Sequence, residues 1–151
     1  MKIIADSSPL ISLAILERRN LLLELYSDIY VPQAVFNEIA KPSKPHALIL
    51  TEFCQDRVID VKNQMAVAML INDVDVGEAE AIVLALEIGV MDILIDDAKG
   101  RRAAKLKGLQ AIGTIGVLLR AKQRGLITLM RNHIRIGQKL YTQALTLADE
   151  T

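Results

Sequence analysis

The sequence predicts an α/β domain with a central, mainly parallel sheet flanked by helices. Short apolar runs of strand length, Ile3-Ile4-Ala5, Ile29-Tyr30-Val31 and Ile93-Leu94-Ile95, are bounded by turn or charged residues. Between them lie longer helical stretches punctuated by Gly89, Gly108 and Gly125, residues suited to ending helices. The apolar content is aliphatic: 52% of residues are hydrophobic, 3% aromatic and none is Trp, a composition suited to packing helices on a parallel sheet.

At 151 residues the chain suits a single domain over 1–151. Eighteen Lys and Arg balance 18 Asp and Glu, so net charge gives no global reason to bind nucleic acid or membrane, and the few aromatics argue against base stacking. The lone Cys54 cannot form an internal disulfide and reads as a buried core thiol, and the expected location is the cytoplasm. No apolar run is long enough to span a bilayer.

In chain order, the strand Ile3–Ala5 ends at Asp6. Ser8 before Pro9 then fits an N-cap followed by the first residue of a helix to about Leu16. On that reading Asp6 is free for another role. Asn20–Leu25 forms a helical turn, Ile29–Val31 a strand, and Pro32 opens a helix from Gln33 to Ala40 carrying Glu38. Lys41-Pro42-Ser43-Lys44-Pro45 closes it. Another helix runs from Pro45 to about Gln55, Arg57–Val61 alternates as a strand, and Gln64–Ile71 is apolar without a clear period. Asp75-Val76-Gly77-Glu78 opens a strongly helical run to Ile88. The strand Ile93–Ile95 leads into Asp96-Asp97 and a basic helix, Ala98–Lys107. Leu109–Ile112 is a last strand, a helix from Gly113 to Gln123 follows, and a helical region at about 128–148 finishes the chain.

Ligands of such folds bind at the carboxyl ends of the strands. That edge receives Asp6 and the Asp96/Asp97 pair. Glu78 faces it too, because a helix preceding a strand starts on the edge where the strand ends. Glu38, six residues past Pro32 and roughly 9 Å along its helix, reaches the same rim. Crowded carboxylates raise one another's proton affinity, and a hard divalent cation, Mg²⁺ or Mn²⁺, relieves the repulsion. Such an ion polarises a phosphodiester and acidifies a bound water. Each acid also has a plainer reading: Asp75 and Glu78 as a capping box, Asp97 as an N-cap, Glu38 on a solvated face. Glu80 points elsewhere and is expected in solvent.

The ordered series Asp6-Ser7-Ser8-Pro9-Leu10-Ile11, Val31-Pro32 with Glu38-Ile39, Gly77-Glu78-Ala79-Glu80-Ala81-Ile82, Ile95-Asp96-Asp97 with Arg101-Arg102-Ala103-Ala104, and Gly113-Thr114-Ile115-Gly116-Val117-Leu118 resembles the PIN-domain family. More narrowly it resembles the prokaryotic branch related to VapC toxins. The resemblance spans almost the whole chain. It implies a PIN-like three-layer fold and metal-dependent cleavage of RNA. The family's acidic positions fall on Asp6, Glu38, Glu78, and Asp96 or Asp97, as catalytic residues and metal ligands. Two departures are a Glu at the third position and the ambiguity at the fourth. The resemblance also implies a toxin of a type II toxin–antitoxin pair, inhibited by a small antitoxin, and a homodimer.

Ser7, Arg101, Arg102 and Thr114 are candidate substrate contacts. Arg101 or Arg102, on a helix also carrying Lys99, Lys105 and Lys107, is suited to holding a phosphate, or the helix simply presents a solvated basic face. Thr114 reads as a helix cap near the site, since Gly113-Thr114-Ile115-Gly116 lacks the Lys of a P-loop. His46 and His133 have no metal-binding partner at suitable spacing and read as surface or packing residues. The function expected is a Mg²⁺- or Mn²⁺-dependent endoribonuclease. The alternative is a catalytically inactive PIN-like module that binds protein or RNA. A phosphoacceptor domain is disfavoured because the acidic pair follows a late strand.

Overall fold

The computed structural model describes residues 1–126. In chain order its elements are β1 (Lys2–Ala5), α1 (Ser7–Ile15), α2 (Asn20–Leu25), β2 (Asp28–Pro32), α3 (Gln33–Ile39), α4 (Ala47–Cys54) and β3 (Val58–Ile59). They continue with α5 (Gln64–Leu70), α6 (Val76–Ile88), β4 (Asp92–Leu94), α7 (Ala98–Leu106), β5 (Gln110–Ile112) and α8 (Thr114–Gln123). The helical region expected at about 128–148 lies outside the described residues.

The strands form one five-stranded sheet in the order β3-β2-β1-β4-β5, with every pairing parallel. Side chains alternate across such a sheet, and the strand sequences obey that period. Ile3, Ala5, Ile29, Val31 and Leu94 face a core shared with α1, α2, α3, α4 and α8. Ile4, Ile93 and Ile95 face the opposite core, filled by α5, α6 and α7. The result is a three-layer α/β fold whose central strands are buried on both faces, which is why they read as unbroken apolar runs.

Local expectations shift in three places. The first helix begins at Ser7, with Asp6 and not Ser8 in the N-cap position, and Ser8 is exposed. Pro9 is accommodated because the first-turn N–H groups have no intrahelical acceptor to lose. The apolar segment Gln64–Leu70 is a helix, opened by the Asn63 side chain, which accepts from the Ala66 N–H at 3.1 Å. Helix α8 has Gly113 in its N-cap position, with Thr114 inside its first turn, so Thr114 does not cap. Cys54 is a buried free thiol, and burial pushes its pKa up to about 12. Among the described residues no helix is long and apolar enough to cross a membrane.

Candidate functional site

The strand order sets the location of the site. From β1 the chain steps outward to β2 and β3, then returns to the other side of β1 with β4. The strand ends diverge at this reversal and leave a crevice beyond the carboxyl ends of β1 and β4. Ala5 pairs with Leu94, and the Asp6 N–H donates to the Leu94 carbonyl at 3.0 Å, so Asp6 and Asp96 emerge side by side at the crevice.

Asp6 is 4% exposed, and its Oδ1 has no hydrogen-bond partner. Although it occupies the N-cap position of α1, its side chain makes no capping bond. Burial pushes its pKa up to about 7; the Ser7 backbone N–H opposes that rise, while the charges of Asp75, Glu38 and Asp96 add to it. Three separate segments therefore bring acids to bear on Asp6.

Glu78 enters from the first turn of α6. Asp75 caps that helix by accepting from the Glu78 N–H at 2.8 Å, half of the expected capping box. The Glu78 carboxyl turns inward: it is 5% exposed, and its buried Oε2 has no partner. Its pKa rises to about 8, first through burial and then through Asp75, with Asp6 and Asp97 contributing. Two glycines make room for these acids. Any side chain at Gly100 of α7 would strike Glu78 Oε2, and a Cβ at Gly77 would stand 3.3 Å from Asp6 Oδ1.

The Asp96-Asp97 pair divides its work. The Asp97 carboxylate accepts from the Gly100 N–H at 2.9 Å and caps α7. Asp96 instead accepts from the Thr114 N–H at 2.6 Å and from its hydroxyl at 2.8 Å. This is possible because Gly113 lacks a Cβ, which would stand 2.8 Å from Asp96 Oδ1. Arg101 donates to the carbonyls of Ile95 and Asp96, fixing the backbone that presents both aspartates.

Glu38 approaches from α3. It accepts the Ser7 hydroxyl proton at 2.9 Å and pairs with Lys44 at 3.7 Å. Glu80, expected in solvent, instead accepts from the Ala34 N–H in the first turn of α3 at 3.0 Å and ties α6 to α3. Its solvated reading fails because α3 starts beside α6 with unsatisfied N–H groups, and a carboxylate within reach of them is held. Arg102 is exposed on α7.

Asp6, Glu38, Glu78, Asp96 and Asp97 thus line one rim, joined there by Asp75. They do not yet close around a point: among the described residues, no three His, Cys, Asp or Glu side chains stand so that they could hold a metal ion. Glu38 is engaged by Ser7 and Lys44, and Asp96 by Thr114. Sequence reasoning missed Gly100, although a glycine inside a basic helix is a signal for close approach by another group. It also missed the partnership of Asp96 with Thr114, which no spacing reveals.

The fold and rim define a three-layer α/β protein whose acids gather at the topological switch point. Residues 2–150 match the DUF3368 family model, described as a PIN domain, and the chain belongs to that family. No curated protein matches it. The fold has the PIN-like architecture, which is consistent with nuclease activity in general.

Proposed function

We propose that the protein is a metal-dependent endoribonuclease that hydrolyses RNA phosphodiesters. The observation that carries this reading is the pair of buried, unpartnered carboxylate oxygens, Asp6 Oδ1 and Glu78 Oε2, on one rim, both with proton affinity raised first by burial and then by neighbouring acids. All-oxygen, acidic donors suit a hard dication. Asp6, Glu38, Glu78, Asp96 and Asp97 would hold Mg²⁺ or Mn²⁺, which supplies polarisation of the phosphodiester and a water acidified enough to attack it.

The chain's own groups prepare the rim. Thr114 fixes the rotamer of Asp96, Ser7 that of Glu38, and the Lys44 ammonium offsets part of the negative charge of Glu38. Ser7, Thr114, Arg101 and Arg102 are the proposed substrate contacts; Ser7 bonds Glu38, Thr114 bonds Asp96, Arg101 anchors the strand end and Arg102 is open to solvent. The resemblance to VapC-related proteins supports a toxin restrained by a small antitoxin and a cytoplasmic homodimer. We take the chain to be one domain throughout.

The open arrangement of the acids favours a second reading, a PIN-like module that binds RNA or protein without turnover. Incubating purified protein with mixed RNA, with and without Mn²⁺, separates the two. Cleavage that requires Mn²⁺ and disappears in Asp6→Asn and Asp97→Asn supports the nuclease. RNA or protein binding indifferent to the ion, without cleavage, supports the module.

A further inference from the structure

We propose that the outer face of α7 is the track along which the phosphate backbone of single-stranded RNA approaches the acidic rim; this rests on the nuclease reading and assigns its substrate a path. Two adjoining surface grooves line this helix. One, of about 420 Å³, is bordered by Ala98, Arg101, Arg102, Lys105 and Leu106. The other, of about 430 Å³, is bordered by Asn72, Asp73, Lys99, Arg102, Ala103 and Leu106. They meet at Arg102 and Leu106.

Helical spacing explains the pattern. Lys99, Arg102 and Lys105 follow one another at intervals of three, so each cation adjoins the next in an oblique row across the outer face of α7. All three are exposed, and none has an ion-pair partner among the described residues, although Asp73 borders the second groove. Unpaired cations in a file suit a chain of phosphates better than a single anion.

The groove also leads to the rim. Arg101 lines its upper end and donates to the carbonyl of Asp96, the residue whose carboxylate lies at the crevice. From Asp97 to Lys105 the helix descends roughly 12 Å at about 1.5 Å per residue, enough for a short run of nucleotides. Leu106, 80% exposed, offers an aliphatic surface to a sugar or base without selecting among bases. Arg101, committed to the backbone, positions the upper end, while Arg102 and Lys105 contact phosphate.

The test measures binding of a fluorescein-labelled single-stranded oligouridine to the full chain without divalent ion, over a series of salt concentrations. Each phosphate contact contributes about 0.7 to the log–log salt slope of a single strand. The Arg102→Gln, Lys105→Gln double variant is expected to lose about 1.4 of that slope, while Lys2→Gln, at the opposite edge of the sheet, leaves it unchanged. An unaltered slope in the double variant, an equal loss in Lys2→Gln, no binding by the unsubstituted protein, or poly-glutamate binding with the same dependence on Arg102 and Lys105 would each overturn the track. Because binding is read without metal, the absence of cleavage in a separate Mn²⁺ assay counts against the nuclease reading and leaves the track to be judged by its slope.

Discussion

Gly100 of α7 stands directly against the Glu78 carboxylate of α6, so closely that no larger residue fits while Glu78 keeps its place. Two helices that flank the rim thus meet through a hydrogen atom and a carboxylate oxygen. Intrinsic propensity alone favours Ala over Gly inside a helix by about 1 kcal/mol. Here the sign is expected to reverse: Gly100→Ala should destabilise the protein by about 1–3 kcal/mol, the usual range for overpacking. Urea denaturation at fixed pH measures it, and a stabilised variant would contradict the contact.

The raised acids make the metal-free protein sensitive to pH. Asp6 moves from 3.8 to about 7 and Glu78 from 4.5 to about 8. Below about pH 3 both are protonated whether the chain is folded or unfolded, and neither contributes. Between about pH 4 and 8 the folded state holds protons that the unfolded chain has released, so stability falls as pH rises through this window. Asp6→Asn removes one of these costs and should gain up to about 4 kcal/mol over the parent at pH 8.5, less whatever the buried amide costs, with little difference at pH 4. Thermal melts in EDTA at the two pH values read the effect; a parent that becomes more stable with rising pH across the window would contradict it.

Thr114 holds Asp96 with two hydrogen bonds, one from its hydroxyl and one from its backbone. Thr114→Val keeps the shape and the backbone bond but removes the hydroxyl donor. A hydrogen bond to a charged group contributes about 1.5–3 kcal/mol, so cleavage of RNA should fall about tenfold or more. Thr114→Ser should retain activity. Equal rates in the valine and serine variants would show that this donor does not prepare Asp96.

Glu80 caps the start of α3, the helix that carries Glu38. Its loss in Glu80→Ala should cost about 1 kcal/mol of stability, as removal of a helix cap does. Hydrogen exchange at the Ala34 amide is expected to accelerate in the same variant, and unchanged protection would argue against the bond.

Much of the fold is legible in the chain because periods and punctuation agree. Ile3–Ala5 and Ile93–Ile95 can be little but buried strands, and Gly89, at φ 70°, ends α6 where a glycine was expected to end it. Gln64–Leu70 was opaque because its two exposed methionines, Met65 and Met69, mask the usual polar face of a surface helix. At the site, parallel topology alone places Asp6, Glu78 and Asp96 on one edge. The roles of single side chains were less visible. Ser8 looked like the cap because serine before proline has that chemistry, yet hydrogen bonding of Asp6 to Leu94 starts the helix earlier. Glu80 and Thr114 find partners more than 15 residues away, and sequence spacing carries no record of such contacts.

We propose one dication site at the end of β1 and β4, for which Asp6, Glu78 and their neighbours would close on the ion from the open arrangement of the metal-free protein. Calorimetric titration of the full chain with Mn²⁺ at pH 7.5 tests it most directly, beside Asp6→Asn and Glu78→Gln. Saturable binding by the parent, with proton release and with loss in both variants, is the expected result. Absence of binding by the parent, or binding that survives in both variants, would contradict it.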